Sequence, residues 1–237
     1  MPKIGIIVGT GTEKLVANLK LKPKKIKTRF GTVNAWQGEH TVFINRHGVD
    51  YCAPHAINYR ANLMALKKIG VSQIIAIAAV GSMNNKMKPG ELVLLSDFID
   101  FTRGRVEYID PARFTDVSQP YDEKLRKVLL AAGKKLGVAI HPQAIYACAE
   151  GSRFESKAEI KMYRKAGADV VGMTQVPEVV LAAELGIPYV ALAVVTNFAA
   201  GVSSQRISPE EVAVMMRKKR LLLSEIIKEA IRSAPAR

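Results

Sequence analysis

The chain has 237 residues, of which 49% are hydrophobic and only 6% aromatic, enough for one sizeable core and suited to a sheet buried on both faces. No apolar run approaches the ~20 residues of a membrane span, the opening MPKIGIIVGTGTE enters a strand too early for a signal peptide, and Cys52 and Cys148 form no CxxC pair for zinc or a disulfide framework. Lys and Arg number 35 against 21 Asp and Glu, a net charge of +14, which excludes an acidic chain and admits nucleic acid or a small anion as partner.

The expectation is one cytoplasmic domain, 1–237, with both thiols reduced. KIGIIVGTGTE reads as a strand over Lys3–Val8 that enters a Gly-Thr-Gly turn. The basic run KLKPKKIKTR (20–29), like RKKR (217–220), has no interleaved aromatics and reads as a solvated loop or helix face. TVFINRHG is a second strand, Thr41–Asn45, ending in Arg46 and His47, and HAINYRANLMALKKIG has helical spacing with a stop at Gly70. QIIAIAAVGSM and ELVLLSDFID read as strands. From 101 to 120 no periodicity survives and Pro111 and Pro120 interrupt, which marks a long loop of the kind that often carries function.

YDEKLRKVLLAAGKKLG resumes helical spacing and stops at Gly137. QAIYACAEG is a strand, KAEIKMYRKAG a helix, ADVVGMT a strand, VPEVVLAAELG a helix and PYVALAVVTN a strand. The last helix opens with Ser208 as cap, Pro209 in its first turn, and Glu210 and Glu211 at its positive end. Strands and helices alternate without repeat or linker. That order predicts an α/β fold with a central, mostly parallel mixed sheet flanked by helices.

In such sheets ligands gather at the carboxyl ends of the strands. Those ends carry Thr10, Arg46, His47, residues 78–82 and 150–155, Met173, Thr174 and Asn197. Thr10 offers a hydroxyl between glycines, Arg46 a fork of donors for two oxygens, and His47 and Thr174 further donors: an anion site without metal, with phosphate as its natural ligand. Each member has a plainer reading. GTGTEKL lacks the third glycine of GxGxxG and alone marks a tight turn, Arg46 and His47 could be a surface pair, and Thr174 could cap a helix starting at Val176. HExxH, GxSxG and GxxxxGK[ST] are all missing, and Cys148 has no evident base.

RHGVDYCAPHAINYRANLMALKKIGV, KPGELVLLSDFIDFT, EGSRFESKAEIKMYRKAGADVVGMTQVPEVVLAAELGIPY and VVTNFAAG resemble the trimeric purine nucleoside phosphorylase and methylthioadenosine phosphorylase family. The likeness runs from Lys3 to the C-terminal helix, and GADVVGMTQVPE is its specific signature. It implies phosphorolysis: phosphate attacks C1′ of a purine nucleoside to give free base and a ribose 1-phosphate. It also implies a homotrimer or hexamer, and no cofactor beyond inorganic phosphate as co-substrate. By motif, Thr10, Arg46, His47 and Thr174 become phosphate ligands, with Ala79 in the turn that flanks phosphate and sugar. Met173 would pack on the ribose, Phe154 along the base, Glu155 near its Watson–Crick edge, and Asn197, followed by Ala199, at N7 and the 6-substituent. His47 and Asn197 are the catalytic candidates.

An Asn amide can donate to N7 or O6, both acceptors in hypoxanthine and guanine, whereas adenine presents an amine beside N7. Adenosine-type members carry acidic residues where this chain has Asn197 and Ala199, so the reading is a 6-oxopurine. The last histidine is His141, and the C-terminal region offers Val212, Met215 and Met216 instead, an apolar set suited to a 5′-methylthio group or to a helix core face. The pattern looks most like the methylthioinosine branch. The chain departs from the family at Tyr51, where a second histidine is usual, at Ala78, and at Ser152. Methylthioadenosine cleavage, a nucleoside binder with weakened catalysis, and a basic nucleic-acid-binding protein on the same scaffold stand as alternatives.

Overall fold

The computed structural model describes residues 3–12, 21–104 and 108–233. Glu13 to Leu15 of the GTGTEKL motif and Lys20 at the head of the basic run lie outside the described residues. Nine strands, β1 (Lys3–Val8), β2 (Lys22–Thr28), β3 (Gly31–Gln37), β4 (Thr41–Asn45), β5 (Val71–Ser82), β6 (Leu92–Asp100), β7 (Ile140–Cys148), β8 (Val170–Gly172) and β9 (Tyr189–Phe198), form one sheet in the order β2-β3-β4-β1-β5-β8-β7-β6-β9. Five pairings are parallel, β1 with β4 and β5, β5 with β9, and β7 with β6 and β8. Four are antiparallel, β2 with β3, β3 with β4, β5 with β8, and β6 with β9. The mixed, mostly parallel sheet is the one the alternating pattern predicts. Because β5 pairs with both β8 and β9, the strands β5, β8, β7, β6 and β9 close into a ring.

Among the described residues five α-helices flank the sheet: α1 (Tyr59–Ile69), α2 (Glu123–Lys135), α3 (Lys157–Lys165), α4 (Glu178–Glu184) and α5 (Pro209–Ser233). Four of the starts, all but that of α4, follow side-chain chemistry. Asn58 and Asp122 accept from the backbone N–H three residues on, and Ser156 forms a reciprocal capping box with Glu159. Ser208 Oγ accepts from Glu211 N at 3.2 Å, as its place before Pro209 predicts.

Alternate strand residues feed opposite cores. Ile7, Ile74, Ala76 and Ala78 join Leu63, Leu66 and Val179 of α1 and α4, whereas Ile4, Ile6, Ile75 and Ile77 join Leu125, Leu129, Leu223 and Ile226 of α2 and α5. Burial on both faces explains the unbroken apolar runs. A third cluster places Ile160 and Tyr163 of α3 against Met83 and Val171.

One reading is corrected. The described part of the basic run is neither loop nor helix face but the edge strand β2, with only Ile26 buried and paired opposite Val33. Arg217 to Arg220 do lie on a helix, α5. Cys52 is half-buried and Cys148 buried, and neither forms a disulfide. Among the described residues no helix is long and apolar enough to cross a membrane.

Candidate active site

Val8 at the end of β1 pairs with Asn45 at the end of β4, so the Gly9–Thr10 turn and the Arg46–His47 pair emerge side by side. Gly9 leaves room for this pair: a Cβ there would stand 2.9 Å from Arg46 Nη1, so that the guanidinium would have to shift. Thr12, fully buried, clasps this turn, its hydroxyl donating to Gly9 O at 2.7 Å and accepting from Gly9 N at 3.1 Å. Gly11, at φ +75°, lies so close to α5 that a Cβ would come within 2.7 Å of Met216 Cβ.

Arg46 is buried rather than part of a surface pair. Its Nε and Nη2 donate to the two Glu178 oxygens at 2.9 Å each, and Nη1 donates to Ile77 O at 2.7 Å. The fork expected to grip an external oxyanion is therefore closed on a carboxylate, and these bonds take three of the five guanidinium N–H donors. Burial by itself would lower the Arg46 pKa, but the charge and hydrogen bonds of Glu178 outweigh it and raise it further. Glu178, fully buried, also accepts from the Tyr189 hydroxyl at 2.6 Å.

His47 is fixed in tautomer. Its Nδ1 lies 2.8 Å from Cys52 O, and a carbonyl only accepts, so Nδ1 carries a proton. In the neutral ring Nε2 is then an acceptor; it donates to an anion only as imidazolium. The Tyr51 ring stacks on the imidazole, with centroids 4.7 Å apart, and the Tyr51 hydroxyl lies 3.0 Å from Thr10 Oγ.

Across the cavity, Gly81 on β5 pairs with Asn197 on β9 and Val171 on β8. Asn197 Nδ2 donates to Phe198 O at 2.9 Å while Oδ1 accepts from Thr196 Oγ at 2.7 Å, which orients the amide and leaves Nδ2 a second proton. Glu155 is buried, and that burial pushes its carboxyl above the ordinary 4.5. Thr174 does not cap a helix: α4 begins at Glu178 without a side-chain cap, and the Thr174 N–H donates to Tyr146 Oη at 3.1 Å.

One cavity of about 340 Å³ brings the predicted residues together. Thr10, Arg46, His47, Ala79 and Thr174 line it, and so do Phe154, Glu155, Met173, Asn197 and Ala199. Tyr51 and Ser152, two of the departures, also line it, whereas Ala78 faces the core. Of the apolar set at the C-terminal end, Val212 and Met216 reach the wall with Ile207 and Pro209, but Met215 packs on the core between α2 and α5. Sequence reasoning missed Glu178, whose only signal was an acid in a helix first turn, and Thr12, whose signal was the short spacing to Gly9. Among the described residues no three His, Cys, Asp or Glu side chains converge to hold a metal.

Comparison with known proteins gives this cavity relatives. The model of the Phosphorylase superfamily matches residues 3–232. The chain is 43% identical to a 6-oxopurine nucleoside phosphorylase of Pyrococcus furiosus, covering 99% of this chain and 94% of that one. It is 40% identical, with the same coverage, to a probable S-methyl-5'-thioinosine phosphorylase of Methanopyrus kandleri. A mutant adenosine/methylthioadenosine phosphorylase from Schistosoma mansoni, solved in complex with methylthioadenosine, superposes with a TM-score of 0.92 at 29% identity, over 98% of this chain and 91% of that one. On the family match over nearly its whole length and on these full-length likenesses, the chain belongs to the Phosphorylase superfamily.

Proposed function

We propose that the protein is a purine nucleoside phosphorylase, a pentosyltransferase that uses inorganic phosphate to cleave the N-glycosidic bond of a 6-oxopurine nucleoside. Its substrates are S-methyl-5'-thioinosine, inosine or guanosine, and its products the free base and the matching (methylthio)ribose 1-phosphate. The observation that carries this reading is a single cavity holding two chemistries: hydroxyl, imidazole and guanidinium groups on the loops after β1, β4 and β8, and an oriented amide with a buried carboxyl where β9 and Glu155 meet it.

The reaction needs that pairing. As C1′–N9 stretches, positive charge grows on the sugar and negative charge on the purine. Phosphate oxygen supplies the electron pair to C1′, and the departing pair resides on the purine, where the remaining Asn197 N–H stabilises it at N7 or O6. No covalent enzyme intermediate is required. Phe154 lies along the base, Met173 packs on the ribose, and Glu155 as carboxylate accepts from the purine N1–H. The wall of Ile207, Pro209, Val212 and Met216 has no titratable group, which favours a methylthio over a hydroxyl at the 5′ position. The proposal takes the chain as one domain, 1–237, working in the cytoplasm as a homotrimer or hexamer without a cofactor.

Phosphate-dependent release of base from methylthioinosine, inosine, guanosine, methylthioadenosine and adenosine, measured side by side, tests it. Release from the 6-oxo substrates is expected, with little from the 6-amino ones, and Asn197→Asp should shift activity toward adenosine-type substrates. Preferential release from methylthioadenosine would overturn the reading of Asn197, and no release from any substrate would overturn the enzyme.

A further inference from the structure

Tyr51 is a half-exposed aromatic residue in a backbone conformation that such residues seldom adopt. Its φ is +50°, where Cβ crowds the following carbonyl, and no other described non-glycine residue has a positive φ. A bulky side chain persists there when its surroundings over-determine it. Two contacts do so: the ring lies nearly parallel to the His47 imidazole, at 14°, and the hydroxyl meets Thr10 Oγ at 3.0 Å. The peptide just beyond it, Cys52, supplies the carbonyl that fixes His47 Nδ1. One short loop thus touches two residues of the anion side at once.

We propose that Tyr51 is a positioning residue for the phosphate nucleophile, acting through Thr10; the inference rests on the phosphate-dependent reading of this cavity. The Thr10 hydroxyl has a single proton and two lone pairs. With Tyr51 O–H donating to Thr10 Oγ, that proton is directed away from the phenol and to an oxyanion in the cavity. A chain Tyr51 O–H to Thr10 O–H to anion forms, in which each bond polarises the next. The stacked ring meanwhile holds the imidazole edge-on to the same space, with Nε2 beside Gly9. Tyr51 thereby acts on the anion through an indirect contact, and its ring forms an aromatic wall of the cavity.

The test is Tyr51→Phe, which keeps the stack and removes only the hydroxyl. Tyr51 is 53% exposed, outside the hydrophobic core. Initial rates at varied phosphate and saturating nucleoside should show KM for phosphate rising about three- to tenfold, the effect of one hydrogen bond, with KM for nucleoside unchanged. Thr10→Ala should raise the same constant, and Tyr51→Phe added to Thr10→Ala should change it no further, because the relay is already broken. Titration calorimetry with inorganic phosphate alone reads the same loss in affinity without turnover. An unchanged phosphate affinity in Tyr51→Phe, a rise confined to the nucleoside KM, or full additivity with Thr10→Ala would overturn the proposal. A wild-type protein that binds phosphate Tyr51-dependently yet releases no base would overturn the enzymatic reading and leave this one standing.

Discussion

Arg46 bears a full charge at 3% exposure, a placement that elementary solvation forbids unless a counter-ion travels inward with it. Glu178 is that counter-ion, and the pair is bidentate, with Tyr189 supplying a further hydrogen bond to the carboxylate. Removing one partner of a buried pair strands the other. Glu178→Ala is expected to destabilise the fold by about 3–5 kcal/mol in guanidinium unfolding, and to raise the KM for phosphate because the guanidinium is no longer held. Thr10, Arg46, His47, Thr174 and Asn197 were legible in the sequence because each follows a strand-like run, and position relative to a strand end is local information. Glu178 was not legible as a partner. It stands 132 residues from Arg46, and its own neighbourhood says only that a helix begins.

At the scale of elements, what the chain hid was β2 and β3. KPKKIKT has a single buried apolar residue, Ile26, so neither alternation nor hydrophobicity distinguishes it from a solvated loop. It becomes a strand because β3 pairs with it along its whole length, from Lys22 opposite Gln37 to Thr28 opposite Gly31. The other strands announced themselves through apolar runs, and the helices through caps and glycine stops. As the terminal strand of the sheet, β2 needs protection from edge-to-edge pairing, and its exposed Lys22, Lys24, Lys25 and Lys27 provide it. Replacing the four lysines with threonine should increase self-association, seen by light scattering as a concentration-dependent rise in mass, while kcat/KM for the nucleoside stays within about twofold.

For the molecule as a whole, the +14 charge acquires a use that the site by itself does not supply. Glu178 offsets Arg46, so the guanidinium that lines the cavity exerts little long-range pull on phosphate. Attraction then comes from the summed surface charge, which salt screens over about 10 Å at 0.1 M. Raising KCl from about 0.02 to 0.5 M should lower kcat/KM for phosphate several-fold and leave that for the uncharged nucleoside nearly constant, as initial rates at each salt concentration will show. The closed ring of strands has a consequence in time. β5, with Ala79 and Gly81, is synthesised long before β9 with Asn197 and before α5, whose first turns wall the cavity. A chain still growing on the ribosome has β5 without β9 and α5 beside it, so the cavity they line together is not yet formed. A ligand in the cavity would therefore stabilise only chains in which β5, β9 and α5 have all been made and have closed around it.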